Sequence, residues 1–174
     1  GRTDTGVHAK KMFAHFDFDG EISEKLVHQL NSFLPPSIAV KKIFEVKEDF
    51  HARFSAKYRT YEYYISLEKN PFSEKFAWQH WRKTLDVEKM NEACKILFEY
   101  EDFGSFAKVG ADNKTNICKI YHANWEQNGN ELKFTISADR FLRNMVRAIV
   151  GTMVEIGSGK LKPADLRNVI EAKN

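Results

Sequence analysis

Cysteine is scarce: Cys94 and Cys118 are the only two in 174 residues. Two thiols build no disulfide framework, and without a CxxC pair they form no zinc or redox motif. They read as buried small hydrophobes, and a reducing cytoplasm is the expected setting. Proline (4) and glycine (9) are also sparse, so the chain is rich in regular elements rather than linkers. No apolar run is long enough to span a bilayer, so no membrane association is expected. No basic segment followed by an apolar one opens the chain, so no secretory signal is read. Neither GxxxxGK[ST] nor GxGxxG occurs, so no nucleotide cofactor is implied. His8 and His15 lie seven apart on an expected strand, hence on opposite faces, and the other histidines show no HxxH or HExxH spacing. No metal and no cofactor are expected.

What is present is an ordinary globular composition, 43% hydrophobic and 29% charged, with a net charge of +3 that is compatible with nucleic acid. The chain opens on Gly1 rather than Met and closes within a helical pattern, which reads as part of a longer chain. Residues 1–6 read as a turn. Alternation of Met12, Ala14, Phe16 and Phe18 predicts a strand over 7–18, and Ile38, Val40, Phe44 and Val46 predict a second over 38–47. Between them Ser23 caps a helix carrying Leu26, Leu30 and Phe33, which Pro35 and Pro36 end. A third strand covers 58–67. Asp86 caps a helix with Val87, Met90, Cys94 and Leu97 inward. Residues 115–138 form a hairpin around Asn128-Gly129. A long helix runs from about 141 to 156 and stops at Gly157. Pro163 opens a last helix. Interleaved strands and helices with an antiparallel hairpin make the class α+β. A break in pattern near 51–56 divides the chain into 1–52 and 53–174.

Three constellations could carry chemistry. In Gly1-Arg2-Thr3-Asp4-Thr5-Gly6-Val7-His8-Ala9, Asp4 sits on a glycine-flanked turn with Arg2 nearby, and a neighbouring cation favours an ionised carboxylate suited to a nucleophile or base. The same residues also suit a plain surface turn. Asp4-Thr5-Gly6 invites comparison with aspartic proteases, which need two such triplets sharing a proton. In Tyr58-Arg59-Thr60-Tyr61-Glu62-Tyr63-Tyr64, Arg59, Tyr61 and Tyr63 fall on one sheet face. Such a face can stack single-stranded RNA bases or pack as core. In the long helix, Arg140, Arg143 and Arg147 are spaced along nearly one ridge. Arg147 is the only charge between Arg143 and Glu155. It is expected either to be buried against a carboxylate or to face solvent from a half-buried helix. Gly151 would admit the close approach of another backbone.

GRTDTGVHA, FSAKYRTYEYYIS and ADRFLRNMVRAIVGTMVEIG, in that order, resemble the TruA family of tRNA pseudouridine synthases. Asp102-Phe103-Gly104-Ser105-Phe106 is similar to a smaller family segment. The resemblance covers essentially the whole chain. It implies a pseudouridine synthase fold of two ferredoxin-like or RRM-like halves with mainly antiparallel sheets. It implies isomerisation of uridines 38–40 in the tRNA anticodon stem-loop, without cofactor or metal, by a cytoplasmic homodimer. By motif position it implies Asp4 as the catalytic aspartate, with Arg2 filling the space left by the flipped base. Arg147 becomes the buried cation paired with Asp4, and Tyr61 stacks on the uracil with Arg59 beside it. Arg140 and Arg143 become RNA-binding residues. The family's opening strand and helix and its closing segment lie outside residues 1–174, so these residues alone are expected to be inactive. A non-catalytic RNA-binding module is the alternative; the protease reading is the weakest.

Overall fold

The computed structural model describes residues 3–81, 84–111 and 113–173. The chain divides into two compact units, 1–56 and 57–174.

In the first unit the regular element is helix α1, Leu26–Phe33. Its first turn is entered through Ser23, whose hydroxyl accepts the Lys25 N–H at 3.2 Å. Neither expected strand of this unit is paired among the described residues. The reason is that alternation of side chains specifies a face, whereas a strand requires a ladder partner. Over 38–47 the partner at Val40 is a side chain: Asn31 Nδ2 donates to the Val40 carbonyl (2.8 Å), and Asn31 Oδ1 accepts the Val40 N–H (2.7 Å). No described residue of this unit is fully buried, and Met12, Phe13, Phe16, Phe18 and Phe44 are exposed.

The second unit is a mixed four-stranded sheet with helices on one face. Strands are β1 (Arg59–Ser66), β2 (Trp78–Gln79), β3 (Ile120–Asn128) and β4 (Glu131–Ala138), in the order β2-β1-β4-β3. β4 pairs antiparallel with β1 and β3, and β2 runs parallel to β1. The β3–β4 hairpin is as expected, but its two loop residues are Gly129 and Asn130, because Asn128 still pairs with Glu131. Gly129 takes the first loop position at φ +57°, where a side chain would be strained.

Alternation puts Leu132, Phe134, Ile136 and Ala138 of β4 into the core, with Trp125 of β3 stacked on Phe134 at 4.8 Å. Helix α2 (Val87–Ile96) starts on Asp86, whose carboxylate accepts the Lys89 N–H at 3.1 Å. Helices α3 (Met145–Gly157) and α4 (Asp165–Glu171) complete the layer. Gly157 does not stop α3 through its own conformation: the left-handed residue is Gly159, at φ +78°. Gly157 is instead where α2 and α3 touch, since a Cβ there would stand 2.6 Å from Met90 Sδ. The class is α+β. Among the described residues no helix is long and apolar enough to cross a membrane.

Candidate active site

Two segments carry the candidate residues, one in each unit. In the first, Asp4 opens a four-residue turn closed by the Val7 N–H on the Asp4 carbonyl (3.3 Å), with Gly6 at φ +81°. A positive φ at the third position of such a turn is the reason for glycine there. The Asp4 side chain is exposed. Arg2 lies outside the described residues.

In the second unit, β1 places Arg59, Tyr61 and Tyr63 on the helix-covered face, opposite Ala138, Ile136 and Phe134 of β4. All three are half-buried, while Ile65 further along the same face is fully buried. Tyr61 and Tyr63 pack against the core from this half-buried face, in line with the packing reading of the tyrosine strand. Arg59 Nη1 donates to the Asp139 carbonyl at 2.8 Å, tying β1 to the segment that leaves β4. The Tyr61 ring meets the Phe141 ring nearly perpendicularly, at 5.2 Å and 83°. Burial pushes the Tyr63 hydroxyl up from its ordinary pKa, partly offset by the nearby Arg147 guanidinium.

The arginine ridge differs from the sequence expectation. α3 begins at Met145, so Arg140 and Arg143 precede it. The interruption is Asn144, which takes the left-handed conformation (φ +69°), a region asparagine tolerates better than most residues. Arg140 is half-buried and Arg143 exposed. The segment is fastened at both ends. Asp139 Oδ1 accepts the N–H groups of Lys119 (2.8 Å) and Arg140 (2.7 Å), and the Arg143 carbonyl accepts the Lys108 N–H at 2.9 Å.

Arg147 is on α3, but it is exposed rather than buried. α3 buries Met145, Ile149, Val150, Met153, Val154 and Ile156. A narrow stripe of Arg147, Gly151 and Glu155, four residues apart, is left to solvent. Composition counts apolar residues but does not reveal which narrow stripe stays uncovered. Gly151 likewise shows no close neighbour among the described residues: a Cβ there would meet nothing within 4 Å.

Among the described residues no group of three or more His, Cys, Asp or Glu side chains could hold a metal ion. The 102–106 segment is structural. Phe103 and Phe106 are core residues, and the Ser105 hydroxyl donates to the Ile170 carbonyl (2.8 Å) and accepts the Lys173 N–H (2.9 Å). Sequence reasoning missed Phe141 and Asp139. Phe141 was absorbed into the expected helix, and an acidic residue before two arginines has no signature that marks it as a backbone clamp.

The sequence profile described as tRNA pseudouridine synthase matches residues 93–174. Over 176 residues the chain is 54% identical to tRNA pseudouridine synthase A of Parabacteroides distasonis, covering all of this chain and 69% of that protein. It is 54% identical over 177 residues to the enzyme of the same name in Bacteroides fragilis, covering all of this chain and 70% of that protein. For the Bacillus licheniformis enzyme the identity is 40% over 177 residues, again across the whole chain and 71% of the relative. The chain belongs to the tRNA pseudouridine synthase A family.

Proposed function

We propose that this protein converts uridine to pseudouridine in tRNA, at positions 38–40 of the anticodon stem-loop. The observation that carries the reading is similarity along the whole chain to enzymes of that name. In the reaction the C1′–N1 bond breaks and a C1′–C5 bond forms; C5 loses its proton and N1 gains one. The base must leave the stack, because a paired and stacked uracil cannot rotate about its attachment.

Asp4 is assigned as the catalytic carboxylate, held on an exposed turn where it can reach a flipped nucleotide. Arg147 is assigned as the cation that favours its ionised form, and Arg2 as the residue that fills the vacated stack. Tyr61 offers its ring to the uracil, with Arg59 on the same half-buried face. Arg140 and Arg143 supply positive charge for the RNA backbone. A homodimer working in the cytoplasm completes the reading.

The test is tritium release from tRNA carrying C5-labelled uridine, measured with the full-length protein. Release is expected, and Asp4→Asn should abolish it while tRNA affinity and melting temperature stay near wild type, because an amide is neither nucleophile nor base at neutral pH. Turnover of the Asp4→Asn protein within about tenfold of wild type, a span of only ~1.4 kcal/mol, would remove Asp4 from its role. Binding without release by wild type would favour the RNA-binding module.

A further inference from the structure

We infer that Phe141 is a positioning residue for the proposed isomerisation, acting through Tyr61. The inference rests on the reading of Tyr61 as the platform for the target uracil. A stacking platform works only if its ring plane is held while the base arrives, since a ring free to tilt loses the overlap that makes stacking favourable. Tyr61 is held from two directions. Its neighbour across the ladder is Ile136, and its ring stands against Phe141 at 5.2 Å and 83°. Perpendicular aromatic pairs are favoured by the quadrupoles of the two rings, so the contact sets an angle as well as filling space.

Phe141 can serve as a fixed wall because its own segment is fixed. Asp139 is clamped by Arg59 Nη1 on its carbonyl (2.8 Å) and by the Lys119 and Arg140 N–H groups on its carboxylate (2.8 and 2.7 Å). Leu142 is buried next to Phe141 in sequence, and the Arg143 carbonyl takes the Lys108 N–H at 2.9 Å. Arg59 thus gains a second part, holding the segment that carries Phe141 against its own strand. Phe141 is half-buried and packs against the core that contains Leu142 and Met145. Leucine and methionine keep most of that apolar packing while removing the ring.

The experiment compares Phe141→Leu, Phe141→Met and Phe141→Tyr in the full-length protein, each also in a Tyr61→Leu background. Melting temperature, kcat and KM for tRNA are measured, with single-turnover rates for the slow variants. Phe141→Leu and Phe141→Met should lower kcat about five- to tenfold, the size of a lost aromatic pair expressed as a rate. KM and melting temperature should stay close to wild type, and Phe141→Tyr, which keeps the ring, should turn over like wild type. In the Tyr61→Leu background the Phe141 changes should add nothing further, because their effect passes through a ring no longer there. Wild-type kcat in Phe141→Leu and Phe141→Met would overturn the inference. So would equal losses in both backgrounds, or losses that track melting temperature. Absence of turnover by the wild-type protein would instead overturn the activity, and the role of Phe141 with it.

Discussion

Gly151 and Gly157 lie on the same helix, and the same substitution should act on them with opposite sign. At Gly151 an added Cβ meets nothing within 4 Å, the backbone is helical, and the site is exposed. Alanine there loses less chain entropy on folding, so Gly151→Ala should stabilise the protein by about 0.5–1 kcal/mol. At Gly157 the new Cβ would stand 2.6 Å from Met90 Sδ, 3.0 Å from Met90 Cγ and 3.4 Å from Leu85 Cβ. Comfortable contact between such atoms is about 3.5–4.0 Å, so the thioether must retreat by roughly 1 Å. Met90 is fully buried and has little room to do so. Overpacking of this kind costs about 1–3 kcal/mol. Gly157 ends the helix, so the propensity gain is smaller, and its carbonyl accepts the Asp86 N–H at 2.9 Å, coupling any shift to the cap of α2. Gly157→Ala should therefore fall about 2–3 kcal/mol below Gly151→Ala. For a chain of this size that is roughly 4–12 °C in melting temperature. Urea unfolding beside a thermal scan measures the difference directly. Met90→Ala should be less damaging in the Gly157→Ala background than alone, because the truncation relieves the clash. A Gly157→Ala protein as stable as Gly151→Ala, or a Met90→Ala effect equal in both backgrounds, would refute the packing argument.

Phe134→Ala removes a fully buried ring stacked on Trp125 at 4.8 Å; it should cost about 3–5 kcal/mol in chemical denaturation. Burial pushes the Cys94 thiol up to about 12 and the Cys118 thiol up to about 11. Neither should therefore be alkylated in the native protein at about pH 8, and both should react promptly in urea. The Lys89 ammonium and N–H hold the Asp86 carboxyl below its usual range. A lowered folded-state pKa contributes stability above the unfolded value and loses it as pH falls through the folded value. Melting temperature should accordingly drop more between about pH 5 and about pH 2 in wild type than in Asp86→Ala. Arg147 is exposed, so Arg147→Met should leave melting temperature nearly unchanged while sharply lowering tritium release; a fall in both together would show that the guanidinium is part of the fold.

The sequence by itself determined the elements whose signals are local. The β3–β4 hairpin, the Asp86 cap and the inward set of β4 follow from turn chemistry, side-chain hydrogen bonding and the period of two, each confined to a few neighbouring residues. The motifs bearing Asp4, Arg59, Tyr61 and Arg147 were legible only as a family resemblance, and the roles proposed for them rest on it. Tertiary structure decided whatever depends on a second segment. The stretches 7–18 and 38–47 alternate like strands, yet no ladder forms along them among the described residues. Asn144 interrupts the expected helix in the left-handed conformation, between a buried Leu142 and a buried Met145, and the preceding Arg143 carbonyl meets the Lys108 N–H from a distant segment. Gly151 and Gly157 are alike in sequence, and only the approach of α2 makes a side chain at one of them costly. Arg147 looked enclosed because its neighbours are apolar, but a helix buries a face, and which stripe remains open is set by the elements packed against it.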